Sequence, residues 1–260
     1  MNLTPLLRSR LIHGSIVVGS ILSFVALWHV GSLFLGDALP SPYSTVQTTI
    51  EVLQEPDARN ATAIDHLFVS LRRVFIILAI ALTLSVIIGV AMGLYESVEK
   101  LFSPWIPIGM TTPDVVVILI VMIFLGFDGS SIVLAIIFTA TPFGVINMWE
   151  GMKDLDPDLI EMSRTFESSS LLMWRYIFIP HLLTYIFAST RYLLGMVWKV
   201  VLVGEAFGTQ TGMGAAIRFW FNNGQLEPIL AYLLLFIITI FIIEYLILKQ
   251  LELRLFAWRE

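Results

Sequence analysis

DPDLIEMSRTFESSSLLMWRYIFIP, residues 156–180, decides how this chain is read. Asp156, Asp158, Glu161, Arg164, Glu167 and Arg175 give the segment charge of both signs. The runs on either side, 132–149 and 182–207, are strongly apolar. A charged stretch between two segments long enough to cross a bilayer belongs outside the hydrocarbon, where charge can be hydrated. The chain therefore reads as a membrane protein with a polar loop near residues 150–181.

Composition agrees. The 260 residues are 57% hydrophobic and 13% charged, against about 25% charged in a soluble domain. Apolar segments near 14–35, 67–94, 104–127, 132–149, 182–207 and 229–248 approach or exceed the roughly twenty residues a spanning helix needs. They lack the strict alternation of barrel strands, and backbone groups in lipid must be bonded within the segment. The expected fold is all-α, with six transmembrane helices in one membrane domain over 1–260. Residues 14–35 are too long for a signal core, and no cleavage site follows, so this first span is read as retained.

Arg8, Arg10, Lys100, Lys153, Arg164, Arg175, Lys249, Arg254 and Arg259 fall on one side of this arrangement. The other side carries Arg59 and Arg218, with Arg72 and Arg73 near the second span's outer end. The positive-inside rule puts both termini and the 150–181 loop in the cytoplasm of a multi-pass cell-membrane protein. The absence of cysteine excludes disulfides and Cys-ligated metals. A net charge of −5 argues against nucleic acid as a partner. No G-x-x-x-x-G-K-[ST], H-E-x-x-H or G-x-S-x-G occurs, and His13, His29, His66 and His181 are scattered, so neither a catalytic nor a metal site is expected.

The quoted loop resembles the cytoplasmic signature of the permeases of ATP-binding cassette (ABC) importers: Glu-Ala-Ala, three residues, Gly, nine residues, then Ile-x-Leu-Pro. Glu161 opens it here, and Ile177, Ile179 and Pro180 close it at the family spacing. Met162 and Ser163 replace the alanines, and Glu167 stands at the Gly position. Since Gly adopts backbone angles that cost Glu energy, the turn at 167 is expected to differ. Leu39-Pro40-Ser41-Pro42, followed by a short helix expected from Ser44 to Leu53, resembles the branch importing nitrate, sulfonates, taurine, bicarbonate or thiamine precursors. So do Arg191, Gly195, Trp198 and Glu205 along the fifth span, and Gly212-Met213-Gly214 after it.

The resemblance implies a type I importer permease. Two such subunits, a homodimer or two different permeases, line one pathway. Separate ABC ATPases bind ATP and Mg, and an extracytoplasmic solute-binding protein delivers substrate. This chain itself would bind no cofactor. Asp158, Glu161, Arg164, Thr165, Phe166, Glu167 and Pro180 would form the ATPase-coupling segment. Phe166 would be its apolar anchor, and Glu161 and Arg164, three apart on one helical face, an ion pair.

The third span departs from the family pattern at Thr112-Pro113-Asp114, which interrupts an otherwise apolar run. These residues and Lys199, mid-way along the fifth span, are candidate pathway residues. Asp114 and Lys199 form a buried pair, within one subunit or across a dimer, or Lys199 faces the pathway, where it favours an anion, or it is an interfacial lysine that snorkels to the membrane surface. Ser15, Gly19 and Ser23, and Gly89 with Gly93, offer either a dimer face or close packing within the chain. Asn60-Ala61-Thr62 has the form of a glycosylation triplet. The rival functional class is a self-contained secondary transporter or channel. An intramembrane enzyme would need a cluster of His, Asp or Ser in the spans, which the sequence lacks.

Overall fold

The computed structural model describes residues 5–255, with side chains described for 15–254 except residue 37. The side chains of Arg8, Arg10 and His13, and all of Trp258 and Arg259, lie outside the described residues. Every regular element described is helical: α1 Pro5–Leu35, α2 Pro42–Gln54, α3 Ala63–Leu94, α4 Glu96–Phe102, α5 Trp105–Thr111, α6 Asp114–Leu125 and α7 Gly129–Lys153. After these come α8 Pro157–Thr165, α9 Ser170–Met173, α10 Ile179–Gly208, α11 Met213–Asn222, α12 Leu226–Phe241 and α13 Lys249–Leu255. Wider π turns, Trp174–Phe178 and Ile242–Leu248, join α9 to α10 and α12 to α13.

Five continuous helical stretches are long and apolar enough to cross a membrane: Ser15–Leu35, Ala63–Leu94, Gly129–Lys153, Ser170–Gly208 and Leu226–Arg254. Residues 104–127 do not form one straight helix. The α4–α5 arm and α6 meet at a 98° bend across Thr112 and Pro113. Pro113 lacks the N–H needed to continue the ladder, and Thr112 is extended at ψ 126°.

The chain divides into two compact units, residues up to Ala63 with Phe219–Leu235, and Ile64–Arg218 with residues 236 onward. In the first, Trp28 Nε1 donates to the Pro40 carbonyl at 3.0 Å, tying α1 to the Leu-Pro-Ser-Pro run. Ser41 caps α2, accepting from the Ser44 N–H at 3.1 Å. The cap sits before Pro42, so α2 begins two residues ahead of the expected Ser44. Asn60 sits at φ 63°, a left-handed position Asn tolerates, in a turn held by Asp57. Burial acts to raise the Asp57 carboxyl, but hydrogen bonds from Arg59 and Ala61 outweigh it and hold it below its usual range.

The second unit holds the main core. Val74, Ile77, Leu78 and Ala81 repeat at helical spacing on α3 and pack with Ile118 and Met122 of α6. Ile132, Ala135, Ile136 and Ala140 of α7, Leu193, Leu194, Val197, Trp198 and Val201 of α10, and Ile243 and Leu248 beyond α12 complete it. Close approach of α3 to α7 requires glycine. A Cβ on Gly89 would lie 2.5 Å from Met148 Cβ and 2.7 Å from the Val145 carbonyl, and one on Gly93 would strike Met152. That pair serves packing within the chain, whereas Gly19 of α1 meets nothing within 4 Å.

Two ionic nodes fix these helices. Glu205, fully buried near the end of α10, accepts from Ser70 Oγ at 2.7 Å, Arg73 at 2.6 Å and the Gly214 N–H at 3.0 Å. Arg73 also reaches the Thr211 carbonyl at 2.9 Å. Arg191 spans Glu244, at 2.5 Å, and Glu252, at 3.1 Å. Breaking a buried pair by removing one partner costs about 3–5 kcal/mol. Arg73→Ala is expected to lower the thermal unfolding midpoint in detergent sharply, and adding Glu205→Gln to recover most of the loss. A double variant as unstable as the single one would show that charge is not what the node compensates.

Candidate coupling segment and pathway residues

The α8 helix is built from local signals. Asp156 accepts from the Asp158 N–H at 2.9 Å, Pro157 occupies the first turn, and Asp158 and Arg164 sit at the ends the helix dipole favours. One face is held to the second unit: Ser163 is buried, and Ile160 packs on Met152, Leu155, Phe178 and Leu182. The other presents Leu159, Met162 and Phe166, exposed by 41%, 51% and 76%. Three large apolar groups along one side of a short polar helix form a face that the described residues leave uncovered.

The expected Glu161–Arg164 ion pair is not formed. Both side chains point to solvent, and the contact Glu161 makes is through its backbone carbonyl, which receives Thr165 Oγ1 at 2.9 Å. Three apart on a short exposed helix, two long side chains gain too little to offset their ordering.

Nor does the turn at Glu167 depart from left-handed geometry. Glu167 stands at φ 50°. Its N–H bonds the Arg164 carbonyl and the Ser168 N–H bonds Ser163, both at 3.0 Å, which closes α8 in a Schellman motif. The capping bonds hold a non-glycine residue in the conformation glycine takes without penalty.

Beyond this turn Ser169 caps α9, and the helix widens at Trp174–Phe178 before Pro180. The widening removes the clash between the proline ring and the carbonyl four residues earlier. Thus the segment between the long helices is about residues 154–169, within the expected 150–181 loop. Its flanks are tied together. The His181 ring contacts the Gly151 carbonyl at 2.8 Å and Tyr185 Oη donates to Asp154 at 2.6 Å, while Lys153, at the end of α7, pairs with Glu99 of α4 at 2.8 Å.

At the α5–α6 break, Thr112 Oγ1 donates to the Ile108 carbonyl at 2.6 Å, and Asp114 opens α6, half-buried. Lys199 lies on the exposed side of α10. The two form no ion pair within the protomer, which overturns the intrachain version of that expectation. The charges that do pair, Arg73 with Glu205 and Arg191 with Glu244, lie at similar depths on neighbouring antiparallel spans. Matching opposite charges by depth is the sequence signal that would have found them. Among the described residues no three His, Asp or Glu side chains converge as a metal site.

Residues 81–255 match the family described as binding-protein-dependent transport system inner membrane component. Among curated relatives, the nitrate import permease protein NrtB of Synechococcus elongatus is 27% identical, covering 77% of this chain and 74% of its own length. The taurine transport system permease protein TauC of Escherichia coli is 24% identical over 89% of this chain and 84% of its own. Among solved structures, the inward-facing MetNI methionine ABC transporter aligns at a TM-score of 0.61. That alignment covers 72% of this chain and 92% of the other at 16% identity, a likeness of fold.

Holding a side chain with a Cβ in the left-handed region costs about 1–2 kcal/mol. Glu167→Gly is therefore expected to stabilise the end of α8 by about 1 kcal/mol, read as slower amide exchange in 160–168. Unchanged or faster exchange would show that the Glu167 side chain contributes a compensating contact.

Proposed function

The chain belongs to the family of binding-protein-dependent transport system inner membrane components, as the non-catalytic, multi-pass permease subunit of an ABC importer, and from this we propose how it works. Two copies line one pathway. An ATPase binding ATP and Mg docks on the α8 face of each, in the cytoplasm with both chain termini. A solute-binding protein delivers substrate on the opposite side.

The observation that carries this reading is the uncovered Leu159–Met162–Phe166 face of α8. A groove on the ATPase that takes Phe166 converts closure of the ATPase dimer into displacement of α8. Because α8 is tethered at both ends to α7 and α10, that displacement passes to the long helices. Only contacts that differ between the two states can drive such a shift. The docked helix supplies them, and alternating access follows. Asp158, Glu161, Arg164, Thr165 and Glu167 form the polar rim of the contact, and Pro180 marks the hinge where the segment rejoins α10.

The substrate is a small anion of the nitrate, sulfonate, taurine or bicarbonate kind, or a thiamine precursor. Support comes from relatives named for nitrate and taurine.

Phe166→Ala is expected to leave the chain in the membrane while abolishing ATP-driven uptake and co-purification of an ATPase carrying a Walker A motif. Full uptake by this variant would refute the docking role.

A further inference from the structure

Lys199 is a charged side chain inside a span that forms no ion pair among the described residues. It sits eight residues before the last residue of the fifth apolar segment, 182–207, so it lies well inside the span. Arg191 and Glu205, its charged neighbours on α10, are both engaged in ion pairs, and Lys199 is not. A lysine held near the bilayer centre costs about 3 kcal/mol if it faces lipid, so such residues turn to water or to a partner charge.

The composition of its face distinguishes these environments. Leu193, Leu194, Val197, Trp198 and Val201 point into the core. The opposite side of α10 carries Ala188, Tyr192, Gly195, Lys199 and Val203, with Ala188, Tyr192 and Lys199 exposed. A Cβ added to Gly195 would meet nothing within 4 Å. Two other uncovered helix faces in this unit, on α6 and α12, are of a different kind. α6 shows Val116, Leu119, Ile120, Ile123 and Phe124, and the later part of α12 shows Ile237, Ile238 and Phe241. Those are bulky and wholly apolar, as a lipid contact requires. The Lys199 face has a cation at its centre, a phenol one side of it, and little bulk around it. Asp114, the acid that would cancel the cation, forms no pair with it in the protomer.

We propose that the Lys199 face of α10 lines the aqueous translocation pathway, and that the Lys199 ammonium selects for a small oxyanion there. This rests on the importer reading and adds a specificity-determining residue to it. An uncompensated positive charge in a narrow, low-dielectric passage attracts anions and repels cations of the same size.

The natural absence of cysteine makes the test direct, since any introduced thiol is the sole one. Gly195→Cys is placed in the full chain, in native membranes. Its labelling rates are measured with two membrane-impermeant methanethiosulfonates, the anionic sulfonatoethyl and the cationic trimethylammonioethyl reagent. Residues four apart on a helix lie about 6 Å apart. At that distance in water a unit charge changes the local concentration of each reagent by about threefold, in opposite senses.

The expected result is that Gly195→Cys labels readily, the anionic reagent being favoured. The anionic-to-cationic rate ratio should fall about tenfold on adding Lys199→Gln, recover with Lys199→Arg, and shrink at high salt. Val203→Cys, one turn to the other side, serves if the glycine variant fails to accumulate. Ile120→Cys and Ile237→Cys should stay unlabelled. Thiols at 195 and 203 that are inert to both reagents, or a ratio indifferent to Lys199, would overturn the proposal. Neither arm needs nucleotide or substrate. A chain that labels as expected yet carries no ATPase would sink the importer reading alone.

Discussion

The ion pair between Arg73 and Glu205 sets the register on which the second unit of the protein depends. Glu205 is completely buried, with acceptor positions taken by Ser70, Arg73 and the Gly214 backbone. A buried pair of this kind adds little net stability over a well-packed apolar substitute, but any arrangement that separates the charges is heavily disfavoured. It therefore locks α10 in rotation and height against α3, and with it the tight turn from Thr209 to Gly214. Once α10 is locked, Trp198 must point into the core and Lys199 away from it. At the other end of α10, the same register places Phe178 and Leu182 under α8.

Membrane solvation explains why so few polar contacts bear so much of the organisation. Dispersion packing between apolar helices in lipid differs little from packing against lipid tails, so it does not by itself select one partner surface. Selection comes from groups that lipid cannot satisfy and from backbones that only small residues allow together. Arg191 bridging Glu244 and Glu252 is the first device. The contacts of Gly89 and Gly93 with α7 are the second. Ser85, whose Oγ reaches the Thr141 carbonyl at 3.0 Å, combines both.

The polar segment between α7 and α10 follows the opposite logic. Its helix is specified by capping chemistry, Asp156 and Pro157 at one end and the Schellman closure at the other. It is short, supported on one face, and flanked by the ends of two long helices that His181 and Tyr185 tie together. Those are the mechanical properties of a lever. An apolar face of three residues on an exposed support is complementary to a groove, and the retention of Glu167 in a left-handed conformation shows that the turn geometry outweighs the residue's own preference.

The sequence by itself determined the class of the protein, the long apolar helices and the polar segment between the fourth and fifth of the apolar runs. It also determined the break at Thr112-Pro113. All of these depend on local properties: apolar run length, the spacing of charge, and the missing proline donor. It carried the pairing of Arg73 with Glu205 only as opposite charges at similar depth, because the two are 132 residues apart and meet through the antiparallel packing of α3 and α10. For the same reason it left open whether Asp114 and Lys199 meet within one chain. The bend of 98° was not legible either, since a proline sets that a helix breaks and the neighbouring helices set the angle. The turn at Glu167 was misjudged from residue preference alone, because the hydrogen bonds that hold it come from α8 as a completed helix.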